Sequence, residues 1–252
     1  MNTDIKNMLI KVPEITLTFW VIKIAATTLG ETGGDSVSMS MSLGYLLATF
    51  VFSILFLLAV GTQISVKKFN PWLYWATIIA TTTVGTTLAD FADRSLGIGY
   101  AGGSLLLLTL LMSSLLTWYY LLGSVSITSI TSKKAELFYW LTIMFSQTLG
   151  TAIGDWAADT AGLGYIGAAT IFSVMLTLVA IAYYKSKLSH TILFWAAFIL
   201  TRPLGAVVGD FLDKPTAEGG LALSRYSASF VLIVFIISCI SLFKPRAAKL
   251  GH

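Results

Sequence analysis

Three charged residues stand inside otherwise apolar sequence: Lys23 within residues 22–30, Glu31 directly after them, and Arg202 within residues 198–205. An ion in an apolar span is costly, so it pairs, faces water or takes part in function. Four aspartates, Asp35, Asp90, Asp155 and Asp210, close similar stretches, and Asp93, Asp159 and Asp213 follow within about one turn. Between them lie Thr27, Thr28, Thr82, Thr83, Gln147 and Thr148. Carboxylate, hydroxyl and amide oxygens, without histidine or cysteine, suit hard cations such as Mn2+, Mg2+, Ca2+, Na+ or H+ better than Zn2+ or Cu+. The expected metal ligands are Glu31, Asp90, Asp155 and Asp210. Asp35, the threonines and Gln147 complete an expected ion-binding lining, to which Lys23, Arg202, Asp93, Asp159 and Asp213 couple charge. Two bases against eight acids leave a net of −6, a field that draws cations and repels anions.

An internal repeat sets these residues out. With Gly30, Gly85, Gly150 and Gly205 aligned, an aromatic pair falls eleven and ten residues earlier in every copy: Phe19-Trp20, Tyr74-Trp75, Tyr139-Trp140 and Phe194-Trp195. The four aspartates fall five residues later. Repetition at fixed offsets is the mark of a duplicated unit. The glycine spacings of 55, 65 and 55 residues group the copies into two similar halves.

Of 252 residues 56% are apolar and 11% charged, and mean hydropathy is +0.82, which excludes an ordinary soluble domain. Eight stretches approach the roughly 20 residues needed to cross a bilayer: about 13–32, 42–63, 71–90, 98–122, 135–155, 163–184, 190–210 and 220–243. The expectation is an all-α polytopic membrane protein, one membrane domain over 1–252, with eight transmembrane helices. They form four hairpin repeats, 13–66, 71–123, 135–186 and 190–243. Two spans per repeat send every copy into the membrane in the same direction, a parallel duplication.

Charge is sorted along the chain. Eleven of the 16 basic residues, including Lys6, Lys67, Lys133, Lys185 and Lys249, lie at the termini or after even-numbered spans, and nine of the 12 acids lie where odd-numbered spans end. The positive-inside rule then puts both termini and the even loops on the cytoplasmic side of the inner membrane. The basic runs need no nucleic acid to explain them. The first apolar run carries Lys23 and lacks a small-residue cleavage site, so no signal peptide is expected. A single cysteine, Cys239, allows no intrachain disulfide. No Gly-rich loop ending in Lys-Ser/Thr is present, and no cofactor is expected. The expected partners are lipid and a small cation, with a homo-oligomer left open.

On a helical wheel the offsets −7, −3, −2, 0, +1, +4, +5 and +8 from the central glycine share one half. That face holds Lys23; Thr27, Thr82, Gln147 and Arg202; Glu31, Thr86 and Thr151; and the four aspartates. Polar faces at mid-membrane depth should converge on a shared cavity. The tryptophans read as an aromatic belt at the cytoplasmic interface. Gly33-Gly34 is expected to weaken the first helix and carry Asp35 off it. Arg202 and Thr27 share an offset, and Glu31 lies one turn on, so Arg202 is expected to meet Glu31 across the axis. Against these readings stand plainer ones, in which the aspartates cap hairpins and the threonines bond back to their own helices.

The motif at residues 27–35, Thr-Thr-Leu-Gly-Glu-Thr-Gly-Gly-Asp, resembles a bacterial and archaeal membrane-protein family built from a repeat of unknown function. The resemblance covers nearly the whole chain, although copies two to four lack the glutamate. It implies a polytopic protein of the cytoplasmic membrane and brings no substrate with it. The residues themselves point to a secondary transporter for a hard cation, Mn2+ being favoured among divalents and proton coupling being an option. A carrier of small organic cations or zwitterions is the alternative. A non-transporting sensor or scaffold, and an intramembrane aspartyl protease, fit less well, because four equivalent aspartates single out no catalytic pair. The chain is expected not to be an enzyme.

Overall fold

Helix boundaries follow capping and turn chemistry in the computed structural model, which describes residues 11–95 and 97–248. The helices are α1 (Leu17–Asp35), α2 (Tyr45–Ser65), α3 (Pro71–Asp90), α4 (Gly99–Leu122), α5 (Lys133–Asp155), α6 (Gly164–Lys185), α7 (His190–Asp213) and α8 (Arg225–Phe243). Thr16, Asn70 and Ser132 accept backbone N–H groups at the starts of α1, α3 and α5, and Pro71 takes the first turn of α3, where its missing N–H is not needed. After their aspartates α1, α3 and α5 widen into five-residue π-helical turns, Ser36–Ser40, Phe91–Ser95 and Trp156–Thr160. α7 runs through Pro203 to Asp213 without such a turn.

The four motif helices form a closed inner ring in which α1 packs on α3, α3 on α5, α5 on α7 and α7 on α1. Glycine makes this possible. A Cβ on Gly30 would strike Thr82, one on Gly85 would meet Gln147, one on Gly150 would strike Arg202, and one on Gly205 would strike Thr27. Each central glycine therefore receives the side chain three residues before the glycine of the next copy, and the fourth copy returns to the first. One turn on, Gly34, Gly154 and Gly209 receive Thr86, Ala206 and Glu31. Small residues four apart let helix backbones approach closely in lipid.

The second helix of each repeat barely touches its own first helix. α2 lies on α3, α4 on α5, α6 on α7 and α8 on α1, so each hairpin is splayed and its outer arm clothes the motif helix of the next copy. Outer-arm side chains such as Leu46, Phe50, Leu105, Leu178 and Phe230 face outward. The four outer helices and α7 are long and apolar enough to cross a membrane. α1, α3 and α5 are of similar length but more polar, because their threonine-rich faces meet protein, and the outer arms supply the apolar surface instead.

Two expectations are corrected. Three of the four repeat tryptophans, Trp75, Trp140 and Trp195, are buried rather than set in a lipid-facing belt, and Trp20 is half-buried. The aromatic pairs interlock between copies, Phe19 with Trp75, Tyr74 with Trp140, Tyr139 with Trp195 and Phe194 with Trp20, at centroid distances of 5.4, 5.7, 6.3 and 6.0 Å. Tyr74 and Tyr139 also share a 2.6 Å hydroxyl–hydroxyl bond. Amphipathic rings with a polar tip serve an inner seam as well as an interface. Nor does Gly33-Gly34 release Asp35, which is the last residue of α1. Gly34 packs closely on Thr86, where an added Cβ would lie 3.1 Å from Cγ2.

At the end carrying the termini, Glu14 N–H donates to Arg246 and Ala248 N–H to Val12, both at 2.8 Å. There Lys11 pairs with Glu136 at 2.5 Å and caps the carbonyls that finish α2. Lys6 and Lys249 lie outside the described residues.

Candidate functional site

Reading the inner helices upward from the aromatic seam, every fourth residue lies in the core: Lys23, Ile78, Ile143 and Phe198; then Thr27, Thr82, Gln147 and Arg202; then Glu31, Thr86, Thr151 and Ala206; then the four aspartates, all of them buried. Burial excludes the aspartates as exposed hairpin caps.

Arg202 is the node of the ring and is 0% exposed. Its Nη2 donates to Glu31 Oε2 at 2.9 Å, to Thr86 Oγ1 at 2.6 Å and to Thr151 Oγ1 at 2.5 Å, while Nη1 reaches the Thr27 carbonyl at 3.5 Å. One guanidinium thus touches all three other copies, chiefly through Nη2, while its Nε is buried without a partner among the described residues. The pair expected between Arg202 and Glu31 is formed. Thr86 and Thr151 are the partners that reading by residue type passed over as ligands. Their offset, the same as that of Glu31, was the available signal.

Above this node the aspartates are bridged by cations just past α7, in the turn after α3 and at the start of α8. Lys214 Nζ lies 2.7 Å from Asp35 Oδ2 and 3.1 Å from Asp210 Oδ1. Arg94 joins Asp90 at 2.9 Å to Asp155 at 3.4 Å. Arg225 holds Asp213 at 3.0 Å and approaches Asp35 at 3.8 Å. Adding these three bases changes the balance to five against eight, a net of −3 rather than −6. Asp159 is exposed and meets the Tyr100 hydroxyl at 3.5 Å, away from this cluster. Asp93 is buried against Gly103, and neither of its carboxylate oxygens has a hydrogen-bond partner among the described residues.

Of the expected metal ligands, Glu31 and Asp210 come together with Asp35, their ligand atoms all within 4.8 Å of one another. Asp90 and Asp155 are instead joined to each other through Arg94.

Below the node Lys23 is fully buried. Its amine donates to Thr201 Oγ1 at 3.3 Å and stands 4.1 Å from the centre of the Phe198 ring. Thr82 Oγ1 and both amide atoms of Gln147 are buried without partners among the described residues. Thr28, Thr83 and Thr148 bond back to the carbonyls of Ile24, Ile79 and Met144, as the plainer reading of threonine expects. A crevice of about 650 Å3 lies to one side between α1, α6 and α7, with Trp20, Tyr183 and Phe194 on its wall and Thr201 beside them, and none of the acids lines it.

A family model described as a Repeat of Unknown Function (DUF347) matches residues 18–69, 73–123, 138–189 and 193–244, one match to each copy. No curated protein and no solved structure matches the chain.

Proposed function

The chain belongs to the DUF347 repeat family, and from that premise we propose that it is a secondary transporter for a hard cation, with Mn2+ as the favoured divalent substrate. The observation that carries the reading is the ring of buried carboxylates at the meeting point of the four motif helices, held by tethered cations inside a shell of outward-facing apolar helices. Buried acids that need a counter-ion can exchange a tethered one for a mobile one. Arg202 is the counter-ion of Glu31, neutralising it when the site is empty and releasing it when a cation or proton binds. The protein works in the cytoplasmic membrane with both termini on the cytoplasmic side, where the basic loops favour that orientation. It is not an enzyme and needs no cofactor.

Lys23 favours a second reading, a carrier of small zwitterions. Its buried amine has one hydroxyl partner and could receive a carboxylate while the acids above take an ammonium. Proteoliposomes loaded with a pH-sensitive dye separate the two. An imposed Mn2+ gradient should move protons in the opposite direction through the wild-type protein; a proton response to amino acids but to no metal ion would select the zwitterion reading.

A further inference from the structure

The four copies share one pattern, yet the acid ring they form is not fourfold. Only the first copy carries a glutamate one residue after its central glycine; the others have Thr86, Thr151 and Ala206 there. A third carboxylate therefore exists at one seam alone, between α1 and α7. Gly209 of α7 makes room for it, because a Cβ there would lie 2.6 Å from Glu31 Cβ and 2.9 Å from Cγ.

Two different cations close the two sides of the ring. At the α3/α5 seam Arg94, within a turn of the helix that bears Asp90, lays its guanidinium across Asp90 and Asp155. A rigid fork on two carboxylates is a strong and specific clamp. At the α1/α7 seam Arg202 holds Glu31 and Arg225 approaches Asp35 from Asp213, but the cation that joins Asp35 to Asp210 is Lys214, a compact charge on a flexible stem, standing on extended backbone just past the end of α7. Its ammonium lies against Asp35 Oδ2 and Asp210 Oδ1. Asp35 is 1% exposed, and its second oxygen, Oδ1, is buried with no hydrogen-bond partner among the described residues, a condition that Asp90 Oδ2 and Asp155 Oδ1 share at the other seam, where no third carboxylate joins them. An unpartnered carboxylate oxygen at that depth is costly. This seam thus offers three acids within ligand distance of one another, two of them with an oxygen that lacks a hydrogen-bond partner among the described residues, around an ammonium on a flexible stem.

We propose that Glu31, Asp35 and Asp210 form the cation site, that the Lys214 ammonium is its tethered occupant and competes with the substrate, and that Asp90–Arg94–Asp155 is a structural clamp. The substrate class is a hard divalent cation, for which three carboxylates are a fitting donor set. The inference rests on the transport reading above and narrows it to one seam. It moves Asp90 and Asp155 out of the binding set.

The test is titration of the purified full-length protein in lipid nanodiscs with Mn2+, read as loss of the free-ion paramagnetic resonance signal. Asp35→Asn and Asp210→Asn should each weaken binding about tenfold or more, Asp90→Asn and Asp155→Asn should leave it within about twofold, and Lys214→Gln should tighten it about tenfold. Tighter binding in Lys214→Gln is a gain that misfolding does not mimic. Equal losses in all four aspartate variants, or unchanged or weaker binding in Lys214→Gln, would overturn the single-seam site while leaving cation transport standing. Absence of Mn2+, Mg2+ and Ca2+ binding in the wild-type protein would overturn both.

Discussion

At the residue scale the structure turns on Arg202, whose charge is tolerated because its Nη1 and Nη2 meet oxygens of all three other copies, although its Nε is buried without a partner among the described residues. Removing one member of a buried ion pair leaves the other uncompensated, at a cost of about 3–5 kcal/mol. Arg202→Gln and Glu31→Gln should each lower thermal stability in detergent by an amount in that range, and the double variant should be more stable than the worse single one. A double variant no better than either single would mean that the 2.9 Å contact carries no coupling. This pair was legible in the sequence because Arg202 and Thr27 occupy the same offset. Lys214, Arg94 and Arg225 were not, because they stand just past α7, in the turn after α3 and at the first residue of α8, where nothing in the chain announces which carboxylate they reach.

At the element scale the inner helices are specified by absence of bulk. The glycines of the motif differ sharply in what a side chain would meet. At Gly150 a methyl would collide with the stem of Arg202, whereas at Gly33, in the same kind of helix, it would meet no atom within 4 Å. Gly150→Ala should therefore destabilise by about 1–3 kcal/mol through overpacking. Gly33→Ala should be neutral or stabilising by about 0.5–1 kcal/mol, since alanine restricts the unfolded chain without straining the helix. Paired thermal melts check this, and similar losses at both positions would remove the close-approach account of the motif. The sequence displayed these glycines and their fixed offsets. It did not reveal that the tryptophans point inward, because hydropathy alone does not distinguish an aromatic ring set against lipid from one set between helices.

At the scale of the whole molecule, four parallel copies become a closed ring because each passes its outer arm to the next and the last arm, α8, covers the first motif helix. The number of helices, the four-copy repeat and the inner place of the motif helices could be read from the chain. The handing-on of the outer arms could not, since it depends on loop paths that leave no periodic signature. The ring surrounds one asymmetric charge system, and the account's central claim is that this system moves cations. Uptake of radiolabelled Mn2+ into proteoliposomes tests it most directly. The wild-type protein should exceed protein-free liposomes, and Glu31→Gln should fall to that background while remaining folded by its melting profile. Wild-type uptake equal to background for Mn2+, Mg2+, Ca2+ and Na+ alike, or full uptake in Glu31→Gln, would contradict it.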